Sequence, residues 1–156
     1  MATSTASEGR TGLTPERRAA RLRLVEEHVL AENRHDVDAT MGTFGETASF
    51  QMNAEPLPGR AAVTAFYTEL MQAFPDLRIE ITRRHAADEA VVLEVVIRGT
   101  QRADFRGIPA AGRAAEFPLC AVFDFDEHDR LRAETVYFDS ALMLTQLGAL
   151  PAPADG

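Results

Sequence analysis

Three polar residues stand where strands would aim them inward. Asp139 ends the segment Leu131-Arg-Ala-Glu-Thr-Val-Tyr-Phe-Asp139. Side chains alternate across a strand, so residues 131, 133, 135, 137 and 139 are expected on one face. Tyr137 shares that face, and Gln101 shares parity with Val91, Leu93, Val95 and Ile97. A carboxylate facing a core is costly unless it is hydrogen-bonded, paired or functional. An apolar hollow would lift its pKa from about 3.9 towards neutrality, where a general acid or base works. Tyr137 and Gln101 are candidates to hydrogen-bond an oxygen that gains charge. Each has a plainer role. Asp139 directly precedes Ser140-Ala-Leu-Met143 and is a preferred helix cap. Gln101 could be tied to backbone at a strand end, and Tyr137 could be a buried phenol with a satisfied hydroxyl.

Other chemistries find less support. His28 lies among charges on the first helix, and His35, His85 and His128 fall in expected turns or strand ends. Their spacing matches no ligand motif, so no metal is expected. Cys120 is the single cysteine. It has no neighbouring His to activate it and reads as a buried structural thiol. An internal disulfide is impossible and a cytoplasmic location is the default. Glu94 and Arg98 share the opposite strand face and read as outer charges. No phosphate loop, nucleotide fingerprint or hydrolase elbow occurs. The net charge of −8 argues against nucleic-acid binding. All 16 basic residues are Arg, a usage typical of GC-rich bacterial genomes. No apolar run approaches the roughly 18 residues of a membrane span.

The elements that would position these residues can be read in order. Thr14-Pro15-Glu16 starts a helix, with a hydroxyl cap and Pro in the first turn. Leu22, Val25, Val29 and Leu30 form its apolar stripe, to about Asn33. Asp36 caps a short helix through Val37, Met41 and Phe44. Residues 47–53 are strand-like, 56–59 a loop, and 60–74 a helix that Pro75-Asp76 ends. Strands are expected at 77–85, 91–100, 115–125 and 131–139, with a last short helix to Gly148. Helices first and antiparallel strands later give an α+β class. A strongly curved sheet over the N-terminal helices makes a cone with one open mouth, a natural ligand site. Candidate lining residues are Phe44, Phe50, Met52, Phe66, Phe74, Phe117, Leu119, Phe123 and Thr135. One domain is expected over 14–150, between a frayed arm (1–13) and a tail (151–156).

Several fixed points then line up. They are Pro58-Gly-Arg60, Phe74-Pro-Asp-Leu77, Arg98-Gly-Thr-Gln101, Phe105-Arg-Gly-Ile-Pro-Ala-Ala-Gly-Arg113, Phe138-Asp139 and Gln146-Leu-Gly148. Their order resembles the SnoaL-like polyketide cyclases of the nuclear-transport-factor-2-like superfamily, over roughly residues 20 to 150. The resemblance implies a cone fold, a homodimer, and acid/base remodelling of a hydrophobic polyketide-like substrate without cofactor. It places the family's acid/base Asp at Asp139. The family's Gly-Thr-His ends here in Gln101, and its last-strand Glu and Trp fall at Ala133 and Thr135. The leading expectation is aldol-type ring closure. Epoxide opening by the same carboxylate is the alternative, with Glu55 a weak candidate for the second acid. A non-catalytic binding or dimerisation module is the rival.

Overall fold

The computed structural model describes residues 12–152. Most of the expected arm and tail, 1–11 and 153–156, lies outside the described residues. The chain starts with three helices and one hairpin, α1 (Pro15–Asn33), α2 (Val37–Gly42), β1 (Phe44–Met52), β2 (Glu55–Pro58) and α3 (Arg60–Ala73). The remaining strands β3 (Arg78–Ala86), β4 (Ala90–Thr100), β5 (Ala114–Phe125) and β6 (Leu131–Phe138) follow, and α4 (Ser140–Leu147) closes the chain. Two expectations change here. Phe44 opens β1 rather than ending α2, and the expected loop at 56–59 is largely the edge strand β2.

Local chemistry explains the boundaries. The Thr14 hydroxyl accepts from the Arg17 amide and Pro15 sits in the first turn, which starts α1. Asp36 accepts from the Ala39 amide and starts α2. Gly148, in the left-handed region at φ 81°, ends α4. Arg60 at the start of α3 donates to the carbonyls of Met41 and Gly45 (both 2.8 Å), so α3 is tied to the α2–β1 junction.

The six strands form one curved sheet in the order β2-β1-β6-β5-β4-β3. All neighbours are antiparallel except β1 and β6. The helices α1 and α3 cover its concave face, giving the cone of an α+β barrel. Val91, Leu93, Val95, Phe117, Ala121 and Phe123 point into it and are buried.

A one-residue bulge corrects the expected phase of the last strand. Leu131 pairs with Phe125 but Ala133 already pairs with Asp124, so Arg132 is the extra residue on β6. Such an insertion flips every side chain beyond it to the opposite face. Beyond the bulge it is Glu134, Val136 and Phe138 that turn inward, not Ala133, Thr135 and Tyr137. On α1 the stripe also rotates. Leu30 is 56% exposed, while Arg21, Val25, His28, Val29 and Glu32 are buried.

Leu93→Ala, at a fully buried position, is expected to lower stability by about 2–5 kcal/mol. Leu30→Ala should stay within about 0.5 kcal/mol. Urea unfolding measures both, and the Leu30 result checks the rotation of the α1 face.

Candidate active site

The hollow of the cone is lined by Phe50, Met52, Phe66, Phe74, Phe117, Leu119 and Phe123, with aliphatic side chains between them. About 100 Å³ of it admits the centre of a water-sized sphere. The hollow is therefore small. Among its described lining residues only Glu32, Arg98 and Glu134 are ionisable, and none carries a hydroxyl or amide side chain. Arg98 directs its guanidinium to Glu80 (3.2 Å) and Glu116 (3.0 Å) at the surface. The polar part of the hollow is therefore the pair of carboxyl groups from α1 and β6.

Behind that pair lies a closed network. Tyr67 of α3 donates its hydroxyl to Glu134 Oε2 at 2.6 Å. His28 Nε2 stands 3.2 Å from Glu134 Oε2, 3.8 Å from Glu32 Oε1 and 3.1 Å from the Tyr67 oxygen. His28 Nδ1 meets Thr43 Oγ1 at 2.8 Å, and that hydroxyl donates onward to the Thr40 carbonyl at 2.7 Å. The imidazole is fully buried, with Phe44, Tyr67 and Phe123 edge-on to it at 5.6–5.7 Å.

This environment separates the proton affinities. Burial pushes the Glu32 carboxyl up to about 8, helped by the charge of Glu134 and opposed by that of His28. Burial alone would depress His28. The hydrogen bond and charge of Glu134, the charge of Glu32 and the Thr40 backbone outweigh it, so His28 is raised above 6.5. Burial and the two carboxylates hold the Tyr67 proton well beyond the ordinary phenol range. At neutral pH Glu32 is then mostly a carboxylic acid, a proton donor beside the acceptor Glu134.

The residues singled out in the sequence lie elsewhere. Asp139 is exposed and caps α4, its Oδ1 accepting from the Leu142 amide at 3.0 Å. Its expected inward position is not met, because the bulge turns it outward. Tyr137, 52% exposed, is on the convex face opposite Cys120, which is only partly buried. Thr135 shares that face, in register with Val122 and Gln51. Gln101 is buried as its parity indicated, but it does not line the hollow. Its amide nitrogen donates to the Ile108 carbonyl (2.8 Å), and its Oε1 has no partner among the described residues. Phe44 packs behind the network rather than in the lining. Glu55 is exposed and paired with Arg106. Glu94 and Arg98 are surface charges, as read.

The four residues that do converge were missed. Glu134 was hidden by the bulge. Tyr67 lies in the apolar stretch of α3, where no motif marks it. His28 and Glu32 were legible, because Arg21, Val25, His28 and Glu32 recur at helical spacing on one face of α1.

The sequence profile of the SnoaL-like domain family matches residues 25–134. The chain belongs to this family. No curated protein sequence matches the chain. Among solved structures, the SnoaL-like domain is similar to a candidate polyketide cyclase from Xanthomonas campestris pv. campestris. That likeness has 25% identity, 84% of this chain and 98% of that one covered, and a TM-score of 0.71. It is also similar to SalBIII, an epoxide hydrolase/cyclase-like enzyme with a role in pyran ring formation in the polyether salinomycin (20%, 80% and 94% covered, TM-score 0.69). A third is an LEH-like epoxide hydrolase from M. tuberculosis (20%, 84% and 91% covered, TM-score 0.67). The SnoaL-like domain thus shares its cone with polyketide cyclases and epoxide hydrolases. Among the described residues no helix is long and apolar enough to cross a membrane.

The network makes stability pH-dependent with a definite sign. Both Glu32 and His28 bind protons more tightly folded than unfolded. Their contribution is therefore greatest at low pH. For Glu32 it declines from its ordinary value of 4.5 upward through about 8. For His28 it is lost as pH rises from 6.5 through its raised value. Thermal unfolding of the SnoaL-like domain between pH 6 and 9 is expected to show a falling Tm, and Glu32→Gln should flatten that fall.

Proposed function

We propose that this protein is a cofactor-independent acid/base enzyme that opens an epoxide within a hydrophobic, polyketide-like substrate and closes a ring as it does so. The observation that carries this reading is the pair of carboxyl groups at the polar end of an otherwise apolar hollow. In the proposed step Glu134 takes the proton of a substrate hydroxyl. That oxygen attacks an epoxide carbon, the carbon–oxygen bond on the far side breaks, and the released oxygen takes the proton of Glu32. The product is a cyclic ether bearing a new hydroxyl. With water in place of the substrate hydroxyl, the product is a diol. Glu134 gains the proton that Glu32 loses, so one proton exchange between them restores the site.

Epoxide opening needs acid and base in the same step. Glu32 fills the second-acid role for which Glu55 was the weak candidate. The lining also favours a substrate with few oxygens, since each buried oxygen without a partner costs about 1–3 kcal/mol. A poly-carbonyl chain would strand several of them. Aldol closure is the second reading, favoured by the likeness to a candidate polyketide cyclase. There Glu134 would take the proton beside a carbonyl and Glu32 would protonate the carbonyl oxygen.

The test is a panel of lipophilic hydroxy-epoxides, simple epoxides and β-diketones followed by mass spectrometry. Ring closure is isomeric, while hydrolysis adds water. Glu134→Gln and Glu32→Gln should each lower turnover by about 10²–10⁴-fold, and Asp139→Asn should leave it within twofold. Full activity in both glutamate variants would remove the mechanism. No turnover of any probe, with binding retained, would favour the ligand-binding module.

We also propose a cytoplasmic homodimer joined through the convex sheet face. Val92, Val122 and Thr135 lie in register there, beside Cys120 and Tyr137, with Glu94 and Arg98 nearby. Sedimentation of wild type against Val122→Arg is the measurement. The wild type should run as a dimer and the variant as a monomer.

A further inference from the structure

We infer that His28 is the positioning cation of this site, its ring held doubly protonated behind the two carboxyl groups so that Glu134 remains an acceptor while Glu32 keeps its proton. The catalytic meaning of this inference rests on the acid/base reading above, whereas the charge on the ring does not.

The argument is an account of protons. The Thr43 hydroxyl has one hydrogen and donates it to the Thr40 carbonyl at 2.7 Å. Its oxygen can only accept from His28 Nδ1, 2.8 Å away, so Nδ1 carries a hydrogen. The Tyr67 hydroxyl also has one hydrogen, and its contact to Glu134 Oε2 is 2.6 Å. That length suits an O–H donor on a charged carboxylate. The Tyr67 oxygen, 3.1 Å from Nε2, then offers the ring only lone pairs. Glu134 Oε2 at 3.2 Å does the same. A bare Nε2 would face acceptors alone, whereas a protonated Nε2 donates to them. Every element packed around the ring agrees. Glu32 comes from its own helix, Tyr67 from α3, Glu134 from β6, and Thr40 and Thr43 from α2 and its cap. The facing titratable groups, Glu32, Tyr67 and Glu134, include no second cation. The remaining close neighbours, Phe44 and Phe123, present ring edges.

A buried cation of this kind does two things. It offsets one negative charge in a site shielded from water, and one only. Two ionised carboxylates beside one imidazolium would leave a net buried charge, so one carboxyl must hold a proton. The contact distances choose which, since Glu134 is nearer to the ring (3.2 Å) than Glu32 (3.8 Å) and accepts the Tyr67 hydroxyl at 2.6 Å. His28 does not line the hollow. It acts through the carboxyl groups and is not itself a catalytic residue.

The test is nitrogen NMR of the uniformly ¹⁵N-labelled full chain, without ligand. The His28 signals are identified by their loss in His28→Gln. Wild type should show both ring nitrogens protonated at pH 7.5, about one unit above an ordinary imidazole midpoint. The midpoint should drop in Glu134→Gln, which removes the negative charge, and in the near-isosteric Thr43→Val, which removes an acceptor. A neutral ring at pH 7.5, or a midpoint unmoved by Glu134→Gln, overturns the inference. If His28→Gln does not fold, His35→Gln, His85→Gln and His128→Gln assign the other three imidazoles and leave the His28 signals by difference. A charged His28 in a protein whose Glu134→Gln variant keeps full turnover would remove the functional reading and leave the charge assignment intact. With an active probe, Thr43→Val should also move the alkaline limb of the pH–rate profile downward, which a purely structural loss would not do.

Discussion

The constraint on which this molecule turns is the cost of holding two carboxyl groups and an imidazole away from water. Separate buried charges of that kind are strongly unfavourable. Here they are tolerable because the groups share protons and charge through one network. Tyr67 and Thr43 each commit a hydroxyl hydrogen, which fixes what the neighbouring atoms must do. The three helices and the last strand each supply a member, so the network also fastens the helical layer to the sheet. The same interactions that make the arrangement stable hold one carboxyl as donor and the other as acceptor.

The apolar wall gives that pair its chemical meaning. Phe50, Phe66, Phe117 and Phe123 keep water scarce and offer a substrate no hydrogen bonds. Polarity is confined to one region, where bond making would occur. In a ring closure proximity supplies much of the acceleration, and an apolar hollow that confines the reacting groups would provide it. This division between greasy wall and polar floor sits in a cone of the SnoaL-like fold. Arg98, although it lines the hollow, turns its guanidinium outward to Glu80 and Glu116.

The architecture was legible in the sequence because it follows from local rules. Thr14-Pro15 and Asp36 announced helices, and the alternation of Val91, Leu93, Val95 and Ile97 announced a strand with Gln101 on its inner side. The site was less legible, for one discrete reason. Alternation is reliable only while the register is unbroken, and a single added residue at Arg132 exchanged the two faces of β6. Asp139 and Tyr137 went outward and Glu134 inward. The family's last-strand Glu, placed at Ala133 by simple counting, has a buried carboxylate one residue further on. On α1 the polar members of the buried face were visible at helical spacing, but a stripe sought among apolar residues alone passed over His28 and Glu32.

The amino-acid sequence alone determined the α+β class, the element order, the single cysteine and the acidic balance, because these depend on composition and on neighbours within a few positions. It also determined that an apolar cone was available, since the inward rows of β4 and β5 are written in plain alternation. Only the tertiary structure decided which acid enters the cone. That choice rests on a bulge between two strands and on side chains from α1, α3 and β6 meeting around one imidazole. These contacts span up to 106 positions along the chain, from His28 to Glu134, and no local pattern encodes a proton shared across that distance.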